Sequence, residues 1–337
     1  MSISLFVEKS GAQMRIFDLG SRIQKISKAD FADIEALNKT YPHPYLKHAW
    51  LGILTWNPKL AGQHNIWFLK LPLDEQGYLQ PGPRDAFLQH WLNSLQYPDK
   101  EHGEAPCHYK PDQHRMAYFH ALALATLGQG HTQFYDTTRA YMSGDMGWDN
   151  WQQLGLQGLA EVIVNIDKEN NAKLVGDAIS HMPKAPLNTL LGFLENIQPN
   201  HELSVAINDR LAKVIEDGAE AQDLAGFVRA VSQSQNKEQR LLLLHAILQH
   251  PSARSIEVLA SMASRCTADL TGALLMSFLE VLAINDQGQQ AFITLIAELM
   301  MQPGKRSDIL TAFRNPERSE SLSNAIGALM QGVQNQN

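Results

Sequence analysis

Five side chains able to bind a metal crowd one stretch of this 337-residue chain: His102, Cys107, His108, His114 and His120. Zinc takes three or four such ligands converging at about 2.0–2.3 Å, with only a few residues between paired ligands. Here the successive intervals are five, one, six and six residues. Residues six apart on a helix are rotated by about 120° and face different ways. Cys107, His108, His114 and His120 are the candidate ligands, yet this spacing predicts no metal site. It reads instead as surface and partly buried histidines in a loop stiffened by Pro106 and Pro111.

A second set has acid–base character: Asp74, Glu75, Arg84, Asp85 and His90. Paired carboxylates beside a turn suit proton transfer, which makes Asp74, Glu75 and His90 the catalytic candidates. The same Asp-Glu before Gln76-Gly77 is also what a solvated β-turn requires. An acid such as Asp85 near a helix start likewise complements the helix dipole. Trp50, Trp56, Trp67 and Trp91 offer another chemistry, large apolar anchors that each carry one N–H donor. Trp56, Trp67 and Trp91 with Arg84 are the binding candidates; packing between sheet and helices is the competing reading. His245, inside the apolar run Leu241–Leu248, reads as a core histidine. Gly144 to Asp149 is too short and too poor in oxygen ligands for a calcium loop and reads as a hinge.

No nucleophile elbow, phosphate loop, dinucleotide fingerprint or complete zincin motif is present. His201-Glu202 begins a zincin pattern, but Val205 stands where the second histidine belongs. Gly304-Lys305 is followed by Arg306 rather than Ser or Thr. No cofactor is expected.

The elements that must position these groups fall into two styles. Ile3, Leu5 and Val7 alternate with Ser4, Phe6 and Glu8, and after a turn at Lys9–Ala12 Met14 and Ile16 alternate with Arg15 and Phe17. That pattern predicts a β-hairpin. Asp30 is expected to cap a helix over Phe31–Leu37. Trp50–Trp56 and Ile66–Leu71 are apolar on both faces, as inner strands are. Asn57-Pro58 and Gly62 mark their connection. About four antiparallel strands are expected, with helices Pro83–Leu95 and Gln113–Leu127 covering one face.

After Gly130 only helical periods appear, beginning with Thr132–Met142 and Asp149–Ile166 and ending with Glu317–Met330. Leu187, Leu190, Leu191, Leu194 and Ile197 form a one-sided stripe. Leu241–Leu248 and Leu270–Leu282 are apolar nearly all round and are expected to be enclosed. Caps are expected at Asn236, Asp286 and Asn315-Pro316, and Pro186, Pro199, Pro251 and Pro303 are expected between helices. Helix pairs begin near Leu187, Ala219, Ser252 and Gln287, steps of 32, 33 and 35 residues. The predicted fold is an α+β domain with a small antiparallel sheet, followed by an all-α helical-hairpin array. That array reads as an irregular HEAT- or armadillo-like solenoid, the alternative being a single bundle. The chain is mainly α overall, and the expected divisions are 1–147, 148–333 and a disordered tail at 334–337.

Composition sharpens the boundary. Every Trp and Tyr lies between Tyr41 and Trp151. The net charge of −7 is uneven: residues 1–150 hold 14 basic and 15 acidic side chains, residues 151–337 hold 14 and 20. An acidic half is a poor polyanion binder, so no nucleic acid is expected as partner. No basic amphipathic helix or signal peptide is legible, and two cysteines 159 residues apart fit a reducing compartment. The expectation is a cytoplasmic protein with no membrane partner.

Three stretches, Phe17–Arg22, Leu71–Gly77 and Ala117–Ala123, together resemble a gammaproteobacterial family known only as a domain of unknown function. The resemblance spans nearly the whole chain and implies a cytoplasmic bacterial protein; it supplies no activity or catalytic residue. The leading expectation is a non-enzymatic interaction or adaptor protein with a protein or peptide partner, a basic one by charge complementarity. The alternative is a metal- or acid/base-dependent enzyme using residues 74–120, with its pocket between the sheet domain and the first helices.

Overall fold

The computed structural model describes residues 2–59, 63–97, 102–302 and 304–334. Gly62, Pro303 and residues 335–337 of the expected tail lie outside the described residues. The chain is mainly helical, with a small four-stranded antiparallel sheet at its N-terminus. It divides into two compact units, Met1–Gly130 and His131–Asn337. Gly144–Asp149, read from sequence as a hinge, follows a helix inside the second unit. No helix among the described residues is long and apolar enough to cross a membrane.

The first unit begins with helix α1 (Ile3–Lys9), where the sequence predicted the first arm of a hairpin. The alternating apolar positions contain an i,i+4 pair, and that pair won: Ile3 and Val7 are buried while Leu5 is 40 % exposed. The helix start is capped twice over. Ser2 Oγ accepts from Leu5 N, and the Glu35 carboxylate accepts from the backbone N–H groups of Ile3 (2.6 Å) and Ser4 (2.9 Å). Strands β1 (Gln13–Asp18) and β2 (Gln24–Ile26) precede α2 (Lys28–Glu35). Ser27, rather than Asp30, caps α2, its Oγ accepting from Asp30 N at 3.0 Å.

Strands β3 (His48–Trp56) and β4 (His64–Pro72) complete a sheet of order β2-β1-β3-β4. On one face Ile16, Ile53, Leu69 and Leu71 join a core with Phe31 and Ile34 of α2 and with Phe87 and Trp91 of α3 (Pro81–Gln96). On the other, Phe17, Gly52 and Phe68 stand in register. Phe119 of α4 (Gln113–Leu127) packs over them, its ring centroid 5.5 Å from Phe17 and 5.1 Å from Phe68. A Cβ on Gly52 would lie 2.3 Å from the Phe119 ring, so glycine lets α4 settle onto the sheet. The two helices therefore cover opposite faces instead of one, as strands apolar on both sides require.

The second unit runs α5 (Gln133–Met142), α6 (Leu156–Val164), α7 (Asn171–Ile179), α8 (Lys184–Leu194), α9 (His201–Glu216) and α10 (Ala221–Val231). It continues with α11 (Lys237–Gln249), α12 (Ile256–Arg265), α13 (Gly272–Ala283), α14 (Gln289–Met300), α15 (Lys305–Phe313) and α16 (Glu320–Gln334). Each helix packs on the one two places further along. Odd-numbered helices α5 to α15 form one succession and even-numbered α6 to α16 the other.

Several boundaries differ from expectation for local reasons. The long helix predicted over Asp149–Ile166 is a 3-10 turn (Trp148–Gln153), a break at Leu154-Gly155, and then α6. Pro186 lies in the first turn of α8, where its missing N–H would have had no partner anyway. Asp286 accepts from Ile256 N rather than capping α14, and Asn315-Pro316 forms a turn before Ser319 Oγ caps α16 by accepting from Leu322 N. Asn236 does cap α11, accepting from Gln239 N at 3.2 Å. That helix is not enclosed, however: Leu242 is 64 % exposed and His245 only half-buried. In α13, Leu274, Leu275, Phe278 and Leu279 are buried while Gly272 and Ala273 are exposed.

Candidate functional site

The acid–base candidates serve separate local structures. Asp74 Oδ1 accepts from the backbone N–H groups of Gln76 and Tyr78, both at 2.9 Å, which is the work of a turn carboxylate. Glu75 is exposed beside it. His90, on α3, faces His102 with ring centroids 6.2 Å apart. His108 Nδ1 lies 3.4 Å from Glu104, and His114 sits in the first turn of α4. Burial and the neighbouring His64 hold His120 below the usual imidazole range. Burial also pushes the Cys107 thiol up, so it is a poor thiolate. Among the described residues no three His, Cys, Asp or Glu side chains are grouped to hold a metal ion.

The binding candidates divide between the two faces of the sheet. Trp67 and Trp91 lie in the core with their ring centroids 5.4 Å apart. Buried Arg84 donates from Nη1 to the Glu35 carbonyl at 2.6 Å and so ties α3 to α2. Trp56 is on the opposite face, half-buried, with the Arg15 guanidinium 5.9 Å from its ring.

The densest polar arrangement in the first unit involves residues the spacing did not single out. Asp18 ends β1 with no exposed surface. It accepts from Tyr41 Oη at 2.5 Å and from Gln24 Nε2 at 3.4 Å. Burial raises its carboxyl to about 6, against the opposing pull of those hydrogen bonds, a Gly20 backbone bond and the Arg115 charge. Tyr109 follows an isolated bridge between His108 and Leu69, and burial pushes its phenol upward. The Tyr109 hydroxyl is buried with no hydrogen-bond partner.

Arg115, in the first turn of α4, donates to the Gly20 carbonyl at 2.9 Å and to Asp112 Oδ2 at 2.5 Å. Trp50 donates its indole N–H to the Tyr45 carbonyl at 2.9 Å and meets Tyr109 edge-on at 4.8 Å. Leu19, Gly20, Tyr45, Trp50, Tyr109 and Arg115, with the Lys110–Asp112 segment, line a cavity of about 150 Å³. Of the three stretches that carry the family resemblance, the first lines the cavity with Leu19 and Gly20 and is linked to the other two. Phe17 touches Phe119, and the Gly77 carbonyl accepts from Tyr41 N at 2.9 Å while Tyr41 holds Asp18.

Two features stand out in the second unit. A groove of about 590 Å³ runs between α7 and α9, lined by Lys173, Asp177 and His181 on one side and by Glu202 and Asp209 on the other. Trp148 stacks on His181, ring centroids 5.2 Å apart. Near the start of the unit, Glu161 is 1 % exposed and accepts from the backbone N–H (3.0 Å) and hydroxyl (2.8 Å) of Thr132. It thereby caps α5 from a neighbouring helix.

No curated protein and no solved structure matches the chain. The family model described as "Protein of unknown function (DUF3549)" matches residues 1–330, nearly the full length. The chain belongs to that family.

Proposed function

We propose that the protein is a non-enzymatic interaction protein whose helical unit is an irregular solenoid that receives a basic protein or peptide segment. The carrying observation is the groove between α7 and α9, where exposed Asp177, Glu202 and Asp209 outnumber the single Lys173. The alternate packing of odd and even helices supports the solenoid reading, since stacked hairpins pack in that order and leave such grooves between successive pairs. Facing carboxylates select a basic partner by complementary potential. A cytoplasmic setting belongs to the same proposal, in keeping with a chain whose two cysteines, Cys107 and Cys266, lie in different units. The acid–base enzyme alternative draws no support from Asp74, His90 or His108, whose side chains face separate neighbours.

The test compares the full chain with its Asp177→Lys/Glu202→Lys/Asp209→Lys form as bait in bacterial lysate. A partner that is retained by the first, lost by the second and released by salt, and that carries a Lys- or Arg-rich segment at the crosslinked position, is the expected result. Equal capture by both baits, or capture by neither, overturns the proposal.

A further inference from the structure

We propose that the cavity beside Asp18 is a binding site for a small planar organic anion, a carboxylate carried on one aromatic or heteroaromatic ring. Four observations converge on that class. The first is size. A cavity of about 150 Å³, open on the side of Tyr45 and Lys110, matches the volume known to hold a single benzene ring.

The second is the wall. Trp50, Tyr45 and Tyr109 present aromatic surface, and Leu19 and Pro111 complete an apolar lining. Such surfaces favour edge or offset contacts with a flat ring.

The third is charge. Arg115 and Lys110 are the cations of the lining and Asp112 its one carboxylate, while the Asp18 carboxyl behind the wall is held by Tyr41 and Gln24. Asp112 is already engaged, accepting from Arg115 N at 2.9 Å as the cap of α4 and from the Arg115 guanidinium. A cationic ligand is disfavoured further because Lys70 Nζ already stands 4.6 Å over the Trp50 ring. Arg115 is held from two sides, by Gly20 and Asp112, so little conformational freedom is lost when it meets an anion.

The fourth is the orphaned donor. Tyr109 lines the cavity and its hydroxyl is buried without a partner. Buried polar groups left unpaired are costly and uncommon, and a shift of the Tyr109 ring toward the cavity would bring this one to a ligand carboxylate oxygen.

Benzoate is the probe. The full-length chain is titrated with sodium benzoate by calorimetry and by saturation-transfer NMR, with inorganic phosphate and benzyl alcohol as comparisons. Expected is saturable one-to-one binding of benzoate, at least about tenfold tighter than either comparison compound. Arg115→Gln should weaken it about tenfold or more, in line with loss of a charged hydrogen bond. Tyr109→Phe keeps the ring and removes only the donor, and should weaken benzoate several-fold while leaving the fold intact. No saturable binding to the folded chain overturns the proposal, as does benzoate affinity unchanged in Tyr109→Phe. Phosphate binding as tightly as benzoate would also overturn it, because the ring would then contribute nothing.

Discussion

Tyr41 donates its hydroxyl to Asp18 at 2.5 Å, joining the end of β1 to a loop more than twenty residues later. The bond holds a carboxylate that the fold has removed from water and raised to about 6. Between its ordinary value of 3.8 and 6, the folded chain binds more protons at this site than the unfolded chain does. Stability contributed by Asp18 therefore falls as pH rises through that window, and the full cost is present above about 6. Asp18→Asn should stabilise the protein at pH 8 by roughly 1–3 kcal/mol, an advantage that closes below about pH 4. Thermal unfolding of both proteins across pH 3.5–8 reads this out. A pH-independent difference would refute it.

Gly52 is the point where β3 and α4 come closest. A methyl group there would meet Phe119 at 2.3 Å and Leu19 at 2.6 Å. Gly52→Ala should cost about 1–3 kcal/mol, the usual penalty of overpacking, measured as a lower urea midpoint with an unchanged slope. Replacing Phe119 with Leu in the same chain should return part of that loss.

Glu161 caps α5 with the carboxylate of another helix. Glu161→Ala leaves Thr132 N and its hydroxyl without that acceptor and should cost about 1–3 kcal/mol. Hydrogen exchange should show faster opening of the first turn of α5, with little change at α16.

Leu242 and Leu244 test the packing of α11. The first is 64 % exposed and the second fully buried. Leu242→Lys should fall within about 0.5 kcal/mol of the parent. Leu244→Ala should cost about 2–5 kcal/mol. Denaturant midpoints separate the two outcomes.

Much of this architecture is written locally. β3 and β4 are apolar on both faces, and α4 spans the same residues that its periodicity predicts. α1 was hidden because Ile3, Leu5 and Val7 satisfy a strand and a helix alike. What decides between them is the Glu35 carboxylate, which lies far along the sequence. The cavity was hidden for the same kind of reason. Leu19, Tyr45, Trp50, Tyr109 and Arg115 come from separate segments with no common spacing, and they meet only once the sheet and α4 are assembled. One signal was available, an acid placed directly after Ile16-Phe17 at the end of β1. The histidines drew attention by local density, which does not make side chains converge.

The alternate packing of the second unit also bears on how the chain is made. Each helix packs on the helix two places along, so every new contact closes a loop of one helical hairpin and none needs a distant part of the chain. Emerging from the ribosome, α5, α6 and α7 have their partners before α16 has been synthesised. The sheet closes a loop of the same order, β3 reaching back across β2 and α2 to pair with β1, so it too can form before the second unit has been synthesised.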